Sequence, residues 1–172
     1  VMSRYTDYER ESQAIRAENS EVLEAFESWL NRKNLSGSTV KKHRDNIDFY
    51  INEFLLYEEP KRPIEGVDEV RLFLGYWFIR KAMWANETTI RSNAASLKKF
   101  YDFMAERGHV TPDAVKELKK TIKEELPDWI DTVKRYDDPS VDLEDVWEWG
   151  RIVGGLTWES ESGRGQGGGR GR

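Results

Sequence analysis

Apolar residues recur at three- and four-residue steps along most of this chain, and no stretch shows the sustained two-residue alternation of a half-buried strand. Val22, Leu23, Phe26, Trp29 and Leu30 mark a first helix, expected from about 19 or 20 to 33 with Ser20 as its cap. A turn through Asn34-Leu35-Ser36-Gly37-Ser38 leads into a second helix, expected to reach about 57, on Val40, Ile47, Tyr50, Ile51 and Phe54. Pro60 and Pro63 demand a loop over 58–66. A third helix follows over about 67–83, with Val70, Phe73, Leu74, Trp77 and Phe78 on its buried side. The fourth spans 87–106 and ends at Gly108, a suitable C-terminal cap. Thr111-Pro112-Asp113 starts a fifth by the rule of a polar cap followed by proline, with a narrow stripe of Val115, Leu118 and Ile122. Pro127 should interrupt it before a shorter piece over 128–136, and Asp137-Asp138-Pro139 breaks the pattern again before an amphipathic segment at 141–149. The fold class is therefore all-α, a four-helix bundle with a helical extension.

This patterning divides the chain into a polar leader (1–18), a helical domain (19–110), an acidic, Trp-rich helical extension (111–159) and a Gly/Arg-rich tail (160–172) too poor in apolar groups to fold. Its 172 residues suffice for one domain with appendages. Without cysteine, neither disulfides nor thiolate metal sites are available, and an intracellular, cytoplasmic setting is expected. No apolar run approaches the ~20 residues that span a bilayer, and the polar start of the chain does not read as a secretory signal. Two distant histidines make a metal site unexpected, and no phosphate-cradling glycine loop leads into a helix, so no cofactor is expected.

The second and fourth helices read as one pattern written twice. Thr39-Val40-Lys41 opens one and Thr89-Ile90-Arg91 the other, and the pairs Val40/Ile90, Ile47/Leu97, Tyr50/Phe100, Ile51/Tyr101 and Phe54/Met104 stay in step. With the apolar stripe buried, Lys41, Lys42 and Asp45 turn outward on the second helix, flanked by His43 and Arg44. The fourth turns out Arg91, Ser92, Ala95 and Lys99, with Lys98 at the flank. A helix N-terminus carries unpaired N–H groups and a positive dipole end, so basic residues added there suit a phosphate backbone. A net charge of -5 argues against indiscriminate coating of nucleic acid, yet screening within ~8 Å allows a local basic face. The bland alternative is an ordinary solvated helix surface.

Leu35-Ser36-Gly37-Ser38-Thr39-Val40-Lys41-Lys42-His43-Arg44, followed by Ile47 and Tyr50, resembles the first signature of the core-binding domain of tyrosine recombinases, the SAM-like N-terminal domain of phage integrases. Thr88-Thr89-Ile90-Arg91, with Leu97-Lys98-Lys99-Phe100-Tyr101-Asp102-Phe103-Met104 and Arg107-Gly108, resembles the second, and the likeness covers about 20–110. It implies a helical bundle forming half of a clamp around double-stranded DNA. The implied DNA contacts are Thr39, Lys41, Lys42, His43, Arg44, Thr89, Arg91, Ser92 and Lys99, to which the flanking Lys98 is added. His43 stands where the family usually has Tyr, and Asp45 and Asp48 dilute the positive face.

Family members cut DNA with a Tyr nucleophile assisted by Arg, His and Lys in a second domain of well over a hundred residues; the roughly sixty residues after Val110 include no His. The expectation is accordingly a non-catalytic DNA-binding or recombination-accessory module, with a full-length recombinase as a candidate partner and the nucleoid as its location. The alternative is a helical protein-interaction adaptor whose contact surface is the acidic extension with Trp129, Trp147, Trp149 and Trp158. Those tryptophans could equally fold back over the bundle. The Gly-Arg tail, with Arg164, Arg170 and Arg172, reads as a nonspecific nucleic-acid segment or as a solubilising one. The acidic extension could also shield the basic face, in which case deleting 137–172 would tighten DNA binding.

Overall fold

In the computed structural model, which describes residues 4–137, every regular element is helical. The first helix, α1 (Arg4–Asn31), begins some fifteen residues before the expected start. It buries Ser12, Ile15, Asn19, Leu23, Phe26 and Leu30, a stripe at steps of three and four that runs back through the stretch expected to be a loose leader. Two of its early members are polar, which is why apolar patterning misses them. Ser20, the expected cap, is an exposed mid-helix residue. Beyond α1, Asn34 takes φ 59°, a left-handed conformation that asparagine tolerates.

Helix α2 (Gly37–Phe49) starts at Ser36, whose Oγ accepts the Thr39 N–H at 3.3 Å. It does not continue regularly to 57. Over Tyr50–Phe54 it widens into a π-helical turn, closed by the Leu55 N–H on the Tyr50 carbonyl at 3.0 Å. The buried Asn19 of α1 reaches this widened turn and donates to the Ile51 carbonyl at 3.3 Å and to Asn52 Oδ1 at 2.9 Å. A polar core position on α1 thus pairs with an irregularity on its neighbour.

Part of the expected loop is a 3₁₀ helix, Pro63–Asp68. It is held from beneath by two buried tyrosines: Tyr50 donates to the Gly66 carbonyl at 2.5 Å and Tyr101 to the Pro63 carbonyl at 2.9 Å. Burial pushes both phenols well above their ordinary pKa, so they remain donors. The expected third helix is instead three short pieces: α3 (Val70–Leu72), a second π turn (Phe73–Trp77) and α4 (Phe78–Lys81). The π turn holds Phe73, Leu74 and Trp77 in the core.

Helix α5 (Glu87–Glu106) keeps its expected bounds. Its Asn86 cap is reciprocal, with Thr89 N–H on Asn86 Oδ1 and Asn86 N–H on Thr89 Oγ1, each at 2.9 Å. It closes on Gly108 at φ +74°.

The last described helix, α6, is continuous from Pro112 to Asp137 and passes through Pro127 rather than breaking there. An internal proline costs about 3 kcal/mol. Beyond it Trp129, Ile130 and Val133 are all buried, and each contributes about 1.5–3 kcal/mol, enough to offset that cost. The proline ring itself is exposed. Helix α5 occupies the middle, packed against α2 on one side and α6 on the other, with α1 along α2. Val115, Leu118, Ile122, Trp129, Ile130 and Val133 share one apolar core with the helices before them, so the first part of the expected extension is structurally core. The segment at 141–149, Trp147, Trp149, Trp158 and the Gly/Arg tail lie outside the described residues. Among the described residues, no helix is long and apolar enough to cross a membrane.

Candidate nucleic-acid interface

Helices α2 and α5 do pack together, but not with their starts side by side. His43 meets Ser96, and Asn46 meets both Ser92 and Ser96, so advancing along α2 means stepping back along α5. The start of α2 therefore lies against the second half of α5.

His43 is buried, with Nδ1 2.7 Å from Ser96 Oγ. Desolvation lowers its pKa, helped by the positive charges of Lys99 and Lys42. An imidazole so placed is a neutral packing group of the α2–α5 seam, which corrects the expectation that it faces DNA. Ser92 and Ser96 form the same polar seam: Asn46 Nδ2 donates to their hydroxyls at 3.0 Å and 2.9 Å. Thr39 and Thr89 serve the helix starts. Thr39 Oγ1 accepts from Ser36 Oγ at 2.8 Å, and Thr89 Oγ1 also donates to the Trp84 carbonyl at 3.0 Å.

The cations divide by partner. Arg44 is ion-paired to Glu27 of α1, tying the two helices together. Lys41 pairs with Asp45 at 2.6 Å, one turn on. Arg91 pairs with Glu87 at 3.1 Å, and Lys134 of α6 reaches the same carboxylate at 3.2 Å. These two cations hold the Glu87 carboxyl below its ordinary pKa. Lys42, Lys98 and Lys99 form no ion pair among the described residues. Exposed pairs such as Lys41–Asp45 are worth only about 0–1 kcal/mol, so Lys41 and Arg91 can exchange partners cheaply.

His43 carries a pH prediction. Its pKa is lower folded than unfolded, so the unfolded chain binds the extra proton. The stability it supports is complete above about 6.5 and declines as pH falls from there through the lower folded value. Melting temperatures of wild type and His43→Gln, compared at pH 7.5 and pH 5, should show a larger drop for wild type. Equal drops would mean that His43 titrates alike folded and unfolded.

Sequence reasoning passed over α6. Lys116, Lys119 and Lys123 recur at steps of three and four beside the buried stripe Val115, Leu118 and Ile122, and Lys119 pairs with Asp102 of α5 at 2.7 Å. Their spacing is the available signal, masked because over the whole of α6 the Asp and Glu residues slightly outnumber the Lys and Arg.

Elsewhere, a cavity of about 200 Å³ opens beneath the loop after the first π turn, walled by Phe54, Leu72, Tyr76 and Trp77 with the Lys61–Glu69 pair (2.8 Å) at its rim. Among the described residues no cluster of three or more His, Asp or Glu is arranged to hold a metal ion. No family model matches this chain, and neither does any curated protein or solved structure.

Proposed function

We propose that this chain is a non-catalytic, duplex-DNA-binding module of the integrase core-binding type, working as a stand-alone or recombination-accessory protein. The observation that carries the reading is that Lys42, next to His43 on α2, and Lys99, one turn past Ser96 on α5, flank the His43–Ser96 contact between the two helices, with no carboxylate paired to either lysine among the described residues. Lys98 adds a third unpaired charge one residue away on α5. Three ammonium groups on two packed helices suit phosphates, which reward charge without demanding base-edge geometry. His43, Arg44 and Ser92 are engaged within the fold, so this reading rests on phosphate contacts more than on base readout. A full-length recombinase bound to neighbouring DNA is the partner this role suggests, and the nucleoid its location.

A second reading, a helical protein-interaction adaptor, draws on the fully exposed Met83 next to the half-exposed Trp84.

Binding to a mixed-sequence duplex across a salt series separates the two. The DNA reading expects the logarithm of affinity to fall linearly with log salt, by about 0.9 for each phosphate contact. Replacing Lys42 and Lys99 with alanine should lower that slope by roughly two contacts' worth. Folded protein that fails to bind duplex at low salt would leave the adaptor.

A further inference from the structure

A shallow furrow runs along the seam of α5 and α6, and its walls are cationic. Asp102–Lys119 and Glu87–Lys134 set the two helices antiparallel, since the step from Asp102 back to Glu87 equals the step from Lys119 on to Lys134. The same register places Lys98 across from Lys123, and both line the furrow. Lys119 belongs to two adjoining hollows, of about 650 Å³ and 860 Å³, so the furrow continues past it to Lys116 and Lys99. Lys98, Lys99, Lys116 and Lys123 carry no ion pair among the described residues. Four carboxylates share the walls: Glu87 and Asp102 face the lysines already named, Glu106 accepts the Trp29 indole N–H, and Asp131 completes the set. Cations outnumber them two to one, with Lys33 at the far end. This excess stands on a chain whose net charge is -5.

The geometry points to a phosphate track for one strand of a duplex, laid along the α5–α6 furrow, with α6 part of the DNA interface rather than an appendage to it. The inference rests on the DNA-binding reading above and adds a surface that the likeness to integrases did not mark. A helix rises 1.5 Å per residue, so the seam between the two ion pairs is about 22 Å long. Phosphates of one strand rise only about 3.4 Å each along the helix axis while the strand winds around it, so a straight seam of this length meets fewer than the roughly six that share its axial span. Cations at steps of three and four on facing helices meet that run with regular spacing. The hollow lined by Ile122, Leu126 and Ile130 has no aromatic side chain on which an unpaired base could stack, and the ring of Trp29, which lines the other hollow, has the Lys33 ammonium over it at 4.7 Å; the furrow thus offers charge to a duplex backbone more than stacking to single strands. Lys99 lines the furrow and stands three residues from Ser96, the α5 residue that meets His43 of α2.

The test compares wild type with the triple variant Lys116→Ala, Lys119→Ala, Lys123→Ala on a mixed-sequence duplex from low to physiological salt. All three side chains are exposed, so the helical circular dichroism should be unchanged. A second variant with glutamine at the three positions guards against alanine-specific effects. Affinity near 100 mM salt should fall roughly tenfold or more, and the salt slope should drop by about two to three. Arginine at the same positions should preserve both. Wild-type binding that the triple variant leaves unaltered, while Lys41→Ala with Lys42→Ala weakens it, would overturn the furrow and keep the DNA reading. Absence of duplex binding by wild type would overturn the reading itself. Binding to a poly-glutamate peptide but not to duplex would overturn both in favour of an acidic protein partner.

Discussion

Replacing Trp129 with alanine should cost the fold about 3–5 kcal/mol, the range for removing a large aromatic from a core. The indole is almost wholly buried, and it lies so close to Gly75 in the second π turn that a Cβ built on that glycine would stand 2.8 Å from Nε1. Its loss would open a cavity between α6 and that turn. It would also remove much of the burial that carries α6 past Pro127. The substitution should therefore lower the denaturant midpoint and loosen the turns beyond Pro127 together, the latter seen as faster amide exchange over 128–137. Adding Pro127→Ala should recover part of the loss by restoring helix propensity and a hydrogen bond to the Lys123 carbonyl. A loss below about 1 kcal/mol would mean that α6 is not docked past Pro127 in solution.

The second large effect is expected at Gly66. A Cβ there would stand 2.7 Å from the Tyr101 hydroxyl and 2.8 Å from Leu55 Cδ1, both on buried side chains. Neither neighbour is free to retreat. Tyr101 is held by its hydrogen bond to the Pro63 carbonyl, and the Gly66 carbonyl is itself the acceptor for Tyr50. Gly66→Ala should destabilise by about 1–3 kcal/mol from overpacking. Displacing either phenol would add the cost of a buried unsatisfied donor, about 1–3 kcal/mol more. Urea denaturation would measure the sum. Tyr101→Phe combined with Gly66→Ala should be less damaging than the separate losses predict, because the hydroxyl that clashes is gone. Strict additivity would show that the clash is relieved elsewhere.

Both sites lie where local patterning says least. Gly75 and Gly66 carry no side chain, and Trp129 follows a proline that reads as a stop. His43, expected at the flank of the outward face, is instead buried for a related cause: a polar residue at the edge of an apolar stripe can turn to solvent or be buried against a partner helix. Which occurs depends on whether the neighbour offers a hydroxyl, as Ser96 does. Asn19 is the same case, its buried amide supported by a π turn more than thirty residues away.

What the sequence determined by itself was the all-helical class and the span of α5, with the start of α2 placed to within two residues. Each follows from groups within a few residues of one another: a cap that accepts a backbone N–H, a glycine at positive φ, and an apolar stripe at helical period. Tertiary structure decided the rest. It drew the polar first turns of α1 into a helix, widened two helices into π turns over the tyrosine and phenylalanine core, and carried α6 through Pro127. It also decided which cations are spent on internal pairs and which stay unpaired, because a lysine's partner is set by the register of the helix beside it. Lys98 and Lys123 stand opposite each other for that reason, and neither position on its own helix announces it.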